Sequence, residues 1–411
     1  MRVSLNKKIN QYTKNAFTLV IIMLNSGYAL TVGSSSIMMI VNIFYLFIMA
    51  LLNRRIYPNR GQKNFLMLTL LLMLLTYMIN IDLSATLEYC RLIVMILTAF
   101  FIVASYPSHA LINGFCIFMR LVSGVSCIFY LIFVSIPAID FPVFTNPSGV
   151  TYYTCIIGNI QAEGRNIDFI RNCGAFWEGG MYAAITAIWV VLEIMFHYER
   201  KKTLLVLILG VFTIYTTKST TGYLYMFLLI FLFAGYAANG RKKTWQSVIL
   251  IMGCVLAAFL YYRYDDLIQY LAGQNELIFG KLLTQNASYT DRFNGPVADM
   301  YVGVLNPFGV GTGQVTSAVN AAALKLFNIG LTSRTSTLTY FFAAFGIPLG
   351  VIVTWQGIKF FLNTILSKID AIMSIVLFIL VTLSTPLNSN MLFWLLLFVG
   401  AGTTNRTRLG L

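Results

Sequence analysis

Charge is scarce in this chain, and that scarcity excludes most soluble folds. Charged residues make up 10% of the 411 and hydrophobic residues 58%, where a soluble domain averages about 25% charged. Histidine is scarcer still, with two in the whole sequence, and the six cysteines form no CxxC pair. A metal centre is therefore not expected, and no cofactor is expected either. Low-complexity tracts, clear internal repeats and any window resembling a separate soluble domain are also missing. Residues 1–411 read as a single integral membrane domain.

What the chain does have is long uncharged apolar runs, such as FLMLTLLLMLLTYMI and LLVLILGVFTIY. In lipid only helices and closed barrels satisfy the backbone. Barrel strands alternate over about ten residues, whereas these runs are longer and uniformly apolar. The expected class is an all-α polytopic membrane protein. Twelve spans are expected near 16–32, 36–52, 65–80, 92–106, 115–137, 179–196, 203–217, 221–238, 246–262, 338–361, 371–385 and 390–404. The opening MRVSLNKKINQYTKN is a basic flank without an obvious small-residue cleavage site, so it reads as the start of an uncleaved first helix.

Charge sign sets the orientation. With both termini cytoplasmic, the inner segments hold eighteen of the 28 basic residues and only two of the 14 acidic ones, the positive-inside asymmetry. The net charge of +14 is then a topological signal with some attraction to anionic lipid. It does not point to nucleic acid.

This topology leaves two long external loops, at approximately 138–178 and 263–337, rich in glycine, amides and aromatics. Long loops in compact proteins are usually functional or disordered. Three of their arginines stand in distinctive settings: Arg171 in RNCGAFWEGG, Arg292 in SYTDRFNGP and Arg334 in GLTSRTSTL. A planar guanidinium fork matches phosphate oxygens, and several together suit a diphosphate. The alternative is pairing with a nearby acid: Arg292 with Asp291 or Asp299, Arg171 with Asp168 or Glu178.

Glu178 follows Trp177 at a membrane boundary, where desolvation favours a proton acceptor; a nearby helix N-terminus favours the anion instead. A salt bridge anchoring loop to helix is the structural alternative. Lys218 lies in TTKSTTGY, either a tight turn or a hydroxyl-lined contact for sugar or phosphate. The glycines of NPFGVGTGQ can present backbone N–H groups to an anion, but the stretch lacks the Lys-Ser/Thr ending of a nucleotide loop. Arg120 and Glu193 fall within or near spans, as functional charges or as a mutual ion pair. Cys155 and Cys173 share one loop, as free thiols or as a disulfide.

Four stretches, in order over roughly 170–400, resemble a known family. RNCGAFWEGG before an apolar helix resembles the R-x-x-G-x-F-x-E segment of bacterial O-antigen and exopolysaccharide polymerases, the Wzy group. TTKSTTGYLYMFLLI resembles their T-x-S-T-T-G-Y helix start, SYTDRF with NPFGVGTGQ their R…P-x-x-G-x-G stretch, and SRTSTLTYFFAAFGIPLG their small-polar-then-Phe-Gly helix. The first 150 residues match only as apolar helices. The related O-antigen ligases carry a histidine in the late external loop, where this chain reads TSRTST.

The resemblance implies a GT-C-like, metal-independent glycosyltransferase of lipid-phosphosugars in the bacterial inner membrane. It would join undecaprenyl-diphosphate-linked oligosaccharide repeats at the outer face, moving the growing chain from its lipid carrier to the incoming sugar hydroxyl. Such polymerases are typically paired with a chain-length-regulating membrane protein. Carried over by motif, Arg171 and Arg292 would contact diphosphate, and Glu178 would orient an arginine or take the acceptor proton. Arg334, Arg165 and Lys218 would bind substrate. Trp177, Tyr152 and Tyr153 would stack on sugar faces or anchor at the membrane interface. The competing readings are an O-antigen ligase and a lipid-linked oligosaccharide flippase, whose charges should line a central cavity between helix bundles.

Overall fold

The structure is a computed structural model that describes residues 14–52, 56–136, 139–146, 149–155, 157–162, 170–196, 200–237, 287–331, 334, 336–365 and 368–402. The described chain is mostly helical. In order come α1 (Lys14–Leu24), α2 (Ser35–Leu52), α3 (Arg60–Asn80), α4 (Thr86–Ser105) and α5 (Ser108–Ser135). Four short strands follow: β1 (Val143–Thr145), β2 (Thr151–Thr154), β3 (Asn159–Gln161) and β4 (Arg171–Gly174). Then come α6 (Gly179–Phe196), α7 (Arg200–Thr216), α8 (Thr220–Ala237), α9 (Ala287–Leu305), α10 (Val315–Phe327), α11 (Leu338–Thr364), α12 (Lys368–Ser384) and α13 (Met391–Gly402).

Six of the helical segments are long and apolar enough to cross a membrane: α2, α3, Leu83–Ser105 (α4 with its leading 3-10 turn), α5, α6 and α11. Shorter apolar helices accompany them, α1, α7, α8, α12 and α13 among them. The expected span near 246–262 and both termini lie outside the described residues. Helix α1 stops at Leu24 rather than continuing to 32, because Gly27 takes a positive φ of 84° and the Trp177 N–H donates to its carbonyl at 3.1 Å. Helix α3 starts at a capping box in which Asn59 and Gln62 satisfy each other's backbone N–H.

Two departures from the sequence reading lie in the long loops. The loop near 138–178 folds into a four-stranded antiparallel sheet in the order β1-β2-β3-β4, a β element inside the expected all-α architecture. The loop near 263–337 is not open chain where it is described, because it contains α9 and α10. Cys155 and Cys173 are free thiols. Burial pushes the Cys173 thiol up to about 12, with the charge of Glu178 adding to the shift and Arg171 opposing it.

Helix α6 sits at the centre of one half, against α5, α7, α8 and β4; α11 organises the other, against α9, α12, α13 and α3. Small residues let these helices approach closely: Gly210 lies against Val190, and Gly222 against Ala183 and Ile214. The intramembrane charges Arg120 and Glu193 do form a mutual pair. The Arg120 fork meets both carboxylate oxygens at 2.7 Å, and Trp189 Nε1 donates to Glu193 at 2.9 Å.

The least regular feature is a break in α11. Gly346 has φ 85° and ψ 175°, and the NPFGVG turn after α9 crosses the chain there. Val310 N–H donates to Ala343 O at 3.0 Å, Gly311 N–H to Ala344 O at 2.9 Å, and Ile347 N–H to Pro307 O at 2.9 Å. Backbone passes backbone with no room for a side chain: a Cβ on Gly309 would meet the Ala344 carbonyl, and one on Gly346 the Pro307 carbonyl. Gly309 also has a positive φ, 78°. Gly309→Ala and Gly346→Ala should each cost at least about 2 kcal/mol. Gly124→Ala, whose added Cβ meets nothing within 4 Å, should be close to neutral. Thermal unfolding of the purified protein in detergent distinguishes them; equal melting temperatures for all three would contradict the crossing.

Candidate functional site

One end of the bundle gathers the polar chemistry. There the C-terminal end of α1 meets the N-terminal ends of α4, α6, α11 and α13 around a cavity of about 280 Å³. Its wall includes Glu88 and Arg91 from α4, Trp177 just before α6, Tyr340 from α11, and Asn388 and Asn390 ahead of α13. Amides stitch this rim together. Asn25 and Asn42 exchange hydrogen bonds at 2.9 and 2.8 Å, Asn390 Nδ2 donates to Ser26 O at 2.8 Å, and Met391 N–H donates to Asn25 O at 2.9 Å.

Two further cavities adjoin it. One of about 210 Å³ shares Met39, Glu88 and Arg91 with the first, so those side chains form a ridge between the two. The other, about 200 Å³, is lined mainly by apolar residues of α1, α5, α6 and α13, and shares Asn390 with the first. A polar chamber thus adjoins an apolar one across a single asparagine.

Arg334 stands behind the Tyr340 wall, its guanidinium carbon 4.7 Å from the ring centroid. Its Nη2 donates to Asp299 Oδ1 at 2.5 Å, and Thr339 Oγ1 donates to Asp299 Oδ2 at 2.7 Å. Arg334 Nε and Nη1 are buried and find no acceptor among the described residues, as does Arg292 Nε. Buried donors are nearly always satisfied, so a guanidinium locked by a carboxylate and a ring with two N–H groups left over has the form of an anion receptor.

The predicted residues distribute unevenly around this chamber. Trp177 lines it, and Arg334 adjoins it through Tyr340. Arg171 sits on β4 opposite Gln161, and Glu178 opens α6, its carbonyl accepting from Tyr182 N–H at 3.0 Å. Among the described residues no ion pair joins these two; their shared neighbour is the Cys173 thiol. Arg292 lies within electrostatic reach of the Tyr225 hydroxyl. Asp299, one of its two expected partners, is taken by Arg334 instead.

Tyr152 is fully buried, and its hydroxyl donates to the Trp177 carbonyl. It holds Trp177 in place and has no free face for a sugar. Tyr153 packs on Phe133 at 4.8 Å between centroids, against α5 and away from the chamber. Lys218 occupies the α7–α8 turn at φ 48°, where Asn172 Nδ2 donates to Thr216 Oγ1 at 3.0 Å. Those hydroxyls tie the sheet to the turn. Arg165 lies outside the described residues.

Sequence reasoning missed Glu88, Tyr340, Asn388 and Asn390. The available signal for Glu88 and Arg91 was their spacing, i and i+3 on the first turns of a helix, which a span drawn from 92 cut away. No protein-family model, curated protein or solved structure matches this chain.

Breaking a buried ion pair from one side costs about 3–5 kcal/mol, because the other charge stays buried and unpaired. Arg334→Ala should therefore destabilise the protein strongly, and adding Asp299→Ala should recover part of the loss. Melting temperatures of the two single variants and the double variant test this; strictly additive losses would contradict the pairing.

Proposed function

We propose that this protein is a bacterial inner-membrane glycosyltransferase that extends a polysaccharide carried on a lipid diphosphate, an O-antigen or exopolysaccharide polymerase. The observation that carries the reading is Arg334, fixed by Asp299 and Tyr340 with Nε and Nη1 unpaired, beside a chamber that also presents Arg91. Two guanidinium groups near one cavity suit a diphosphate leaving group. Trp177 and Tyr340 in its wall suit sugar faces, and the adjoining apolar chamber suits the first isoprene units of a carrier.

In this reading the site-bearing end faces outward, and the acceptor hydroxyl of one lipid-linked repeat attacks the anomeric carbon of the growing chain. The bond to the diphosphate oxygen breaks, the arginines take up the charge on the departing diphosphate, and a carboxylate takes the hydroxyl proton. Glu88, on the ridge between two chambers, and Glu178, next to Trp177 in the chain, are the candidate carboxylates for that task. Arg91 lines the chamber and Arg334 stands behind its Tyr340 wall, at one end of the bundle rather than along a central passage, which favours transfer over flipping.

Deleting the gene in its host should collapse the surface polysaccharide ladder to a single repeat. Restoring it as Arg334→Lys, which keeps the charge and loses the spare N–H groups, should leave the ladder collapsed at normal protein abundance. A full ladder with that variant would remove Arg334 from the chemistry. Loss of even the single repeat on deletion would favour a ligase or a flippase.

A further inference from the structure

Helix α9 is inside out for a helix in water. Asp291 and Asp299 are buried against the protein, while Phe293, Val297, Met300 and Val304 are 51%, 52%, 38% and 62% exposed. Those four recur at spacings of four, three and four and so form one stripe. The carboxylates lie on the opposite side. We propose that this stripe faces the hydrocarbon of the bilayer leaflet at the site-bearing end.

Position supports this. Asp299 meets Thr339, Gly303 packs on the Phe342 backbone, and Pro307 accepts from Ile347 N–H. So α9 runs alongside the first half of α11, in the same direction, as far as Gly346. There α11 breaks and its two halves fold toward each other, so that a Cβ on Gly350 would meet the Phe342 ring. The chain then turns and α10 leads back. The stripe continues through Phe308, 47% exposed, into Ile347, Val351 and Trp355 of α11, at 37%, 52% and 54%. Because α11 crosses the membrane, that continuation already faces lipid.

The turn is compatible with that solvent. Non-helical backbone survives at membrane depth only where the protein satisfies it. The N–H groups of Asn306, Gly309, Val310 and Gly311 all donate to protein carbonyls. The carbonyls of Phe308 and Gly309 accept from Thr76 Oγ1 at 2.8 Å and Asn80 Nδ2 at 3.2 Å. Beyond the turn the chain regains polar surroundings, with Gln314 beside the half-buried carboxylate of Asp82 and Ser317 exposed in the first turn of α10.

This inference goes beyond the transferase reading and does not rest on it. The test uses the full-length protein in lipid nanodiscs, with both faces open to reagent and the unsubstituted protein as labelling background. A water-soluble maleimide should modify Ser317→Cys readily and modify Val297→Cys and Val304→Cys at least about tenfold more slowly. In nanodiscs with brominated acyl chains, the added fluorescence of Val304→Trp should fall by about half relative to ordinary lipid. Labelling of positions 297 and 304 at the rate of 317 would place the stripe in water and overturn the proposal. Protection without bromine quenching would mean that protein covers it, which overturns the proposal equally.

Discussion

The Asp299–Arg334 pair ties together the end of the molecule where its polar chemistry lies. A buried carboxylate beside apolar helices has to be met by a cation and further donors, or it costs several kcal/mol. Here the cation comes from the segment before α11, and the additional donor, Thr339, from the first turn of α11 itself. The same segment is pinned from another side. Thr337 N–H donates to Thr382 O at 2.6 Å, and Leu387 N–H donates to Thr337 Oγ1 at 2.5 Å. With α9, α11 and the α12–α13 turn held in this way, Tyr340, Asn388 and Asn390 line one wall and face α4.

In the proposed function, the same pair prepares Arg334 for a ligand. An exposed arginine spreads over many rotamers, and ordering it costs conformational entropy. Asp299 and the Tyr340 ring hold this one before any ligand arrives, so the two unpaired N–H groups are already oriented. Trp177 is prepared similarly from the other side: its carbonyl accepts from the buried Tyr152 and its N–H donates to Gly27. The sheet around β4 therefore acts as a bracket for Trp177.

How legible this was in the sequence varied by physical cause. The spanning helices were legible because their apolar runs carry no polar compensation. The Arg120–Glu193 pair was legible because an intramembrane charge needs a partner, and few partners exist in a chain this poor in charge. Helix α9 was hidden because Asp291, Arg292, Asn294, Pro296 and Asp299 read as loop; the helix becomes intelligible only when its acids turn toward protein. The strands were hidden because three or four residues are too few to show a period. The pairing of Asp299 with Arg334 spans 35 residues of chain and follows from the packing of α9 alongside α11, which no local pattern encodes. Arg171 and Glu178, the most conspicuous charges in the sequence, lie at the sheet–helix junction behind Trp177, a short distance from the chamber their motif suggested.

The most direct test of the central claim is equilibrium binding of a radiolabelled short-chain isoprenoid diphosphate to the purified protein in nanodiscs. The matching isoprenoid alcohol serves as the comparison. If the spare N–H groups of Arg334 receive the diphosphate, Arg334→Lys should weaken diphosphate binding by at least about tenfold and leave the alcohol unaffected. Equal affinity of the two proteins for the diphosphate would contradict the account, whatever the variant does to the polysaccharide.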